Sequence, residues 1–402
     1  MMNIVVVGGG HAAAQLSASL AEKALQAKVT LVSDEAQLPY HRPPLSKAYL
    51  KDAEPAAAWL RSADFYAGHG AEWRLSTRVA RIERDSRRID LACGESLPYD
   101  RLVLATGARA RTLPGLPEGL DNVHTLRTLD DAARLRGRLQ AVERMLIIGG
   151  GFIGLEIAAT AAQMGKQVTV LEAAPRLLAR SASPEVSDHL LASHRAAGVE
   201  VRLNAVIEGY GIRAGSVVAV QTADGSVPAD LVVVGIGAVP NDELAREAGL
   251  TCDNGIVVDA HMVTSDPAIL AVGDCTAFPF APLGRRIRLE SVQNANDQAR
   301  CAAQTLAGMA EPYSALPWFW SEQGTLRIQI AGVPEPHHER VVRGDPAQGR
   351  FSVLHFLDGA LTCVESVNAP ADHMAARKLI ADACRVPRDA ASDPSIPLKS
   401  FA

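Results

Sequence analysis

The stretches Ile4-Val5-Val6-Val7-Gly8-Gly9-Gly10-His11-Ala12-Ala13 and Met145-Leu146-Ile147-Ile148-Gly149-Gly150-Gly151-Phe152-Ile153-Gly154 share one pattern. In each, a short apolar run reads as a buried strand, the glycines as a tight turn, and the alanine-rich sequence that follows has helical spacing. Glycines let such a turn close and bring backbone N–H groups at a helix N-terminus up to a diphosphate. One copy alone is a weak signal, but two in matching contexts are a strong one. The chain is expected to bind two dinucleotides and to pass electrons from one to the other.

Outward from the first copy, the sequence predicts a helix over 12–27 and a strand over Lys28–Val32. Asp34 follows that strand, where an acid accepts the adenosine ribose hydroxyls of a bound dinucleotide, and Glu35 is the alternative. Ala13 replaces the third glycine, which is tolerated where helix and strand still pack closely. Outward from the second copy, a helix to about Gly165 and a strand over Gln167–Leu171 end at Glu172. A carboxylate there accepts the 2′-hydroxyl of NAD and repels the extra phosphate of NADP. Arg176, four residues on, could receive that phosphate, but Glu172 tips the expectation to NADH. Gly235 to Asn241 reads as the exit strand and turn of this domain, with Gly237 in the nucleotide site. Gly149, Gly151 and Gly154 complete that set.

Three further segments point to FAD. Leu102-Val103-Leu104-Ala105-Thr106-Gly107 is an apolar strand closed by a Thr-Gly turn. Thr264 to Asp274 matches the second FAD fingerprint, T-x-x-x-x-h-h-A-x-G-D, and offers Asp274 to ribitol or diphosphate-side hydroxyls. Glu290-Ser291-Val292-Gln293-Asn294-Ala295 opens a helix through Gln304, whose positive end could face a reduced flavin. A plain structural cap at Asp274 and an ordinary helix start at Ser291 and Val292 are the alternatives. The candidate FAD residues are Gly8, Gly10, Ala13, Asp34, Val79, Thr106, Gly107, Asp274, Ser291 and Val292. The FAD fingerprint resumes after the NAD segment, so the second domain is read as inserted into the first. The expected fold is α/β, with two Rossmann-like domains arranged as in glutathione reductase. The ranges are FAD domain 1–112 and 243–314, NAD domain 113–242, and a small α+β C-terminal domain 315–402. In the last range Leu326–Ile330 and Phe351–Phe356 read as strands, 373–383 as a helix and 392–402 as extended.

Composition bounds the rest. The chain has 402 residues, 48 % of them hydrophobic, and a net charge of −5, which gives no hint of nucleic acid. No apolar run reaches the length of a membrane span. The first apolar run lacks a basic flank and ends in the glycine turn, so it reads as a strand and not a signal peptide. A cytoplasmic protein is expected. Cys93, Cys252, Cys275, Cys301, Cys363 and Cys384 show neither CxxC nor CxxxxC spacing, so no redox pair and no metal site is expected.

Four segments carry a resemblance: Pro39-Tyr40-His41-Arg42-Pro43-Pro44-Leu45-Ser46-Lys47, Ala105-Thr106-Gly107, Ser291-Val292-Gln293-Asn294-Ala295 and Pro317-Trp318-Phe319-Trp320-Ser321. The chain resembles, over nearly its whole length, the FAD-dependent NADH–ferredoxin reductases of bacterial oxygenase systems. Putidaredoxin reductase, rubredoxin reductase and the aromatic-ring dioxygenase reductases belong to that group. The resemblance implies that Lys47 lies beside the flavin and pairs with Glu156, and that both serve catalysis. Independently, Glu156 is the only charge in Gly151–Ala159, and a buried carboxylate needs a cationic partner; a solvated Glu156 near the helix start is the bland alternative. Composition alone would put Trp318, Phe319 and Trp320 in a core or interface, whereas the resemblance puts Trp320 over the nicotinamide pocket. Relatives carry an aromatic shortly after that tryptophan, where this chain has Gly324 and Thr325. The implied partner is an acidic two-iron two-sulfur ferredoxin that supplies a haem monooxygenase or Rieske dioxygenase; Arg285, Arg286, Arg288 and Arg300 are its candidate docking group, Arg300 by the resemblance, with a solvated charged surface the alternative for each. A disulfide reductase, oxidase or peroxidase on the same architecture needs cysteines that Ser33–Leu50 lacks. An apoptosis-inducing-factor-like interaction protein is the other rival.

Overall fold

The computed structural model describes residues 1–23, 25–52 and 54–401. They form two compact units, Met1–His41 with Ala57–Arg109 and Ala238–Ala315, and Arg42–Ala56 with Ala110–Gly237 and Leu316–Ala402.

The first unit is built on a parallel sheet in the order Ile269–Ala271, Arg101–Leu104, Met2–Val7, Ala27–Val32, Ala71–Arg74. Ile4–Val7 and Leu102–Leu104 are buried throughout, as strands covered on both faces must be. The helix after the glycine turn spans His11–Glu22 and does not extend to Ala27. Ala27 instead opens the next strand, opposite Met2, and ladder pairing overrides the helical propensity of the alanines. Part of the expected helix, Ala24, lies outside the described residues. The helix Val292–Leu306 belongs to this unit and ends two residues beyond the expected Gln304.

The second unit repeats the plan with strands Glu200–Arg202, Gln167–Leu171, Arg144–Ile148, Leu231–Val234 and Val123–His124, all parallel. Its glycine turn feeds the helix Phe152–Gln163. The exit strand is Leu231–Val234, buried along its length, and not the segment from Gly235. Gly235 to Gly237 form the turn after it, and Ala238–Pro240 is a separate short strand. The C-terminal segment forms an antiparallel sheet in the order Trp318–Gln323, Leu326–Gly332, Ala360–Val367, Arg350–Leu357, Glu339–Asp345. The helix Pro370–Ala381 packs on it through Ala376 and Leu379. The tail is not extended: Leu398–Phe401 makes a 3-10 turn because Leu398 inserts into this core. Arg42–Ala56 belongs with this unit, where Leu50 joins the core formed by Leu155, Ile157 and Leu135.

Candidate functional site

In the first unit the glycine turn is fixed by close backbone approach. Gly8 has φ +131°, and a Cβ there would stand 2.1 Å from the Ala105 carbonyl oxygen. Around Gly10, by contrast, a Cβ would meet nothing within 4 Å. Helix His11–Glu22 starts with no side-chain cap and no acid in its first turn. Its N–H groups and positive end are therefore open to an anion, the requirement of an FAD diphosphate. Ala13 is fully buried in the third motif position.

The strand end beside this loop holds a residue that the sequence did not single out. Val7 pairs with Val32 as Ile148 pairs with Leu171, so Ser33, not Asp34, stands in the place of Glu172. Ser33 Oγ accepts the Glu35 N–H at 3.2 Å, and a Cβ on Gly9 would reach it at 2.4 Å. Asp34 is exposed at the next position. Glu35 accepts a hydrogen bond from the Tyr40 hydroxyl at 2.5 Å. Val79 starts a strand two residues after Thr77, whose N–H bonds the Ser33 carbonyl at 2.7 Å.

The other FAD candidates are drawn into the same unit. Thr106 Oγ1 donates to the Asn241 carbonyl at 2.6 Å, and the Asn241 N–H returns to the Gly107 carbonyl at 2.9 Å. Gly273, next to Asp274, has φ +85°; a Cβ there would lie 3.3 Å from Ala12 Cβ and 3.9 Å from Ala295 Cβ, so the fingerprint touches both helix starts. Ser291 caps its helix by accepting the Asn294 N–H at 3.1 Å, immediately before Val292. The Tyr313 hydroxyl bonds Asn294 Oδ1 at 3.1 Å, and burial pushes that phenol up.

The four arginines expected to face a partner differ. Arg285 and Arg286 are exposed, and Arg300 is half-exposed while paired with Asp297. Arg288 turns inward: its side chain is 12 % exposed and donates to Glu290 at 2.7 Å and to the Asp274 carbonyl at 3.3 Å. It ties the fingerprint to the segment before Ser291 and does not join an exposed basic group.

The second unit has a matching loop. Gly149 has φ +111°, and its Cβ would strike the Gly235 carbonyl oxygen at 2.4 Å. Gly151 starts its helix without a side-chain cap or a first-turn acid. At Gly154 a Cβ would meet the Gly149 carbonyl oxygen at 2.4 Å, which explains glycine in the third position here. The Glu172 carboxylate accepts the Gly150 N–H at 2.5 Å and the Ala174 N–H at 2.7 Å, and is thereby clamped over the turn. Arg176 is spent on its own loop and the helix after it, donating to Ala179 O, Ala182 O and Ser187 Oγ at 2.6–2.8 Å. Gly237 has φ +104°, and Arg180 lies beside it.

The same unit brings Lys47 and Glu156 together, with Nζ 2.6 Å from Oε2 and side chains 17 % and 5 % exposed. The 3-10 turn Pro43–Ser46 delivers the lysine, whose Nζ also donates to the Pro43 carbonyl at 3.1 Å. Two serines without a distinguishing sequence signal complete the carboxylate's shell. Ser46 Oγ donates to Oε2 at 2.5 Å, and Ser321 Oγ donates to Oε1 at 2.7 Å. Trp320 precedes Ser321 on the strand Trp318–Gln323 and lies 5.7 Å from Trp318, ring centre to ring centre. Phe319 meets Phe152 edge-on at 4.6 Å. Gly324 and Thr325 form the two-residue turn of the hairpin that follows.

Two glycine cradles with bare helix ends, one in each unit, define a protein that holds two dinucleotides. Comparison with known proteins agrees. Residues 2–299 match the model of the pyridine nucleotide-disulphide oxidoreductase family, and residues 318–402 match that of the reductase C-terminal domain. The chain belongs to the pyridine nucleotide-disulphide oxidoreductase family. It is 44 % identical to rhodocoxin reductase of Rhodococcus erythropolis, over 99 % of this chain and 94 % of that one. It matches the crystal structure of the ferredoxin reductase for the CYP199A2 system of Rhodopseudomonas palustris with a TM-score of 0.97 and 42 % identity, over the whole of both chains. The reductase in a covalent putidaredoxin reductase–putidaredoxin complex matches with a TM-score of 0.96 and 41 % identity, over 100 % of this chain and 98 % of that one.

Proposed function

We propose that the protein is an NADH:ferredoxin oxidoreductase that uses FAD to supply electrons to a two-iron two-sulfur ferredoxin, and through it to a haem monooxygenase or Rieske dioxygenase. The reading rests chiefly on one observation: two uncapped, glycine-fronted helix ends occur in one chain whose full-length relatives are named as reductases of ferredoxins.

The cofactors are FAD and NADH. FAD, when bound, supplies the redox chemistry by taking an electron pair and releasing electrons singly. The chain's residues bind, orient and tune. Gly8, Gly10 and the first helix end hold the FAD diphosphate, with Asp34, Ser33 and Val79 toward the adenosine. Thr106, Gly107 and Asp274 serve the ribitol side, and the Ser291–Val292 helix end faces the flavin's pyrimidine edge. Gly149, Gly151, Gly154 and Gly237 hold NADH, and Glu172 takes its ribose hydroxyl. Lys47 and Glu156 fix the flavin edge that receives electrons, and Trp320 covers the nicotinamide. The ranges 1–112 with 243–314, 113–242 and 315–402 correspond on this reading to FAD, NADH and interface modules. Arg285, Arg286 and Arg300 supply the basic docking face, without Arg288.

Anaerobic stopped-flow mixing of the yellow holoprotein with NADH or NADPH tests the donor; adding a two-iron ferredoxin and cytochrome c tests the acceptor. Fast bleaching with NADH, slow bleaching with NADPH and ferredoxin-dependent cytochrome reduction are expected. Bleaching without onward transfer to any ferredoxin would overturn the acceptor.

A further inference from the structure

Behind the Lys47–Glu156 pair a line of buried side chains continues within the second unit. Gln323 Nε2 donates to Ser321 Oγ at 3.3 Å, and His194 Nε2 lies 2.9 Å from Gln323 Oε1. Ser321, Gln323 and His194 are 1 %, 3 % and 3 % exposed. Burial pushes the His194 imidazole below its usual range, so the ring is neutral and has one N–H to give. The Gln323 amide nitrogen already points at Ser321, which leaves its oxygen as the acceptor and assigns the His194 proton to Nε2. Each donor then faces the same way: His194 to Gln323, Gln323 to Ser321, and Ser321 to Glu156 Oε1.

A buried chain of this kind holds only when every member is satisfied, and then it fixes one geometry. Lys47 and Ser46 both hold Oε2, so neither determines where Oε1 points. Only Ser321 among the hydrogen bonds described holds Oε1. Ser321 also follows Trp320 directly, and neighbouring strand residues face opposite sides. The register of one strand therefore sets both the carboxylate's rotation and the position of that tryptophan.

We propose that Ser321, backed by Gln323 and His194, is a positioning residue that sets the orientation of Glu156 and through it the place of the Lys47 ammonium at the flavin. The inference rests on the reading that Lys47 and Glu156 meet the flavin.

The test uses FAD-loaded Ser321→Ala, Ser321→Thr, His194→Leu and Glu156→Gln. Two quantities are measured: the midpoint potential of the bound flavin, and the NADH dependence of bleaching, which separates binding from the limiting rate. Ser321→Ala is expected to lower the limiting rate about tenfold, the effect of losing one hydrogen bond to a charged group. Its NADH dissociation constant should be unchanged and its flavin potential displaced. Ser321→Thr keeps the donor and should restore both, and His194→Leu should give the same changes at smaller amplitude. Wild-type potential and limiting rate in Ser321→Ala and His194→Leu, with both altered in Glu156→Gln, would overturn the positioning role alone. If Glu156→Gln also behaves as wild type, the placement of the pair at the flavin falls with it. Should Ser321→Ala fail to retain FAD, His194→Leu decides the matter by the same two readings.

Discussion

A carboxylate that accepts two backbone N–H groups cannot swing away from its loop, and Glu172 is held in this way. Arg176 cannot compensate for its loss, because its guanidinium is consumed by two carbonyls of its own loop and a hydroxyl of the helix after it. Glu172→Ala should therefore raise KM for NADH about tenfold, as expected for one lost charge-assisted contact. It should confer little activity with NADPH, and steady-state kinetics with both donors checks this. Steric demand is equally local at Gly149: a Cβ 2.4 Å from the Gly235 carbonyl oxygen forces the turn open. Gly149→Ala should keep its flavin yet lose tight NADH binding, as read by titration of the bound flavin's spectrum. At this scale the sequence spoke through isolated charges. Glu172 ends a Val-Thr strand, and Glu156 is alone among apolar neighbours. Ser33, Ser46 and Ser321 gave no such signal, because a serine acquires its role only when a fold brings an acceptor to it. The occupation of Arg176 was hidden for the same reason, since two of its three acceptors are backbone carbonyls.

At the scale of elements, helix starts and hairpin turns carry the site. Ser291 caps its helix through the Asn294 N–H, so Ser291→Ala should cost about 1 kcal/mol, measurable by denaturant unfolding of the holoprotein. The turn Gly324-Thr325 occupies the place where the resemblance expects an aromatic. Gly324 has φ +64°, and a Cβ on it would lie 3.5 Å from Gln163 Nε2 and 3.9 Å from Ala159 Cβ, so the turn is laid against the helix Phe152–Gln163. Buried parallel strands were legible as continuous apolar runs, and Gln167–Leu171 matches its expected range to the residue. Where an element stops was less legible. The alanines before Ala27 favour helix in isolation, and only the ladder with Met2–Val7 claims Ala27 for a strand. The same competition moved the exit strand upstream to Leu231–Val234, where the neighbouring strand Arg144–Ile148 offers partners.

Over the whole molecule, buried imidazoles make stability depend on pH. His373 is fully buried with neither ring nitrogen hydrogen-bonded, and burial, aided by Arg377 and Arg327, pushes it down to about 4 from 6.5. His124, His189, His194 and His338 are pushed in the same direction, each mainly by burial. Between about pH 6.5 and 4 the unfolded chain binds a proton that folded His373 refuses, so stability falls as pH falls through that window and is regained above it. The full gap corresponds to about 3 kcal/mol. Thermal melts should show Tm dropping from pH 7.5 to pH 5, and His373→Leu should flatten that drop. The doubled dinucleotide plan was visible in the sequence because both glycine turns repeat with their flanking strands. The grouping of Arg42–Ala56 with the later segments was not, since it depends on Leu50 reaching a core whose other members lie far along the chain.

The outermost strand of the first sheet, Ile269–Ala271, pairs with Leu102–Leu104. Roughly 165 residues must be translated between them, which takes about 8–33 s at ordinary elongation rates. Throughout that interval the nascent chain carries one side of Leu102–Leu104 without its final neighbour, an apolar edge able to recruit another chain. The yield of native protein in a cell should thus depend on how fast the ribosome crosses the inserted segment, and slow codons placed there would favour aggregates without changing a single residue.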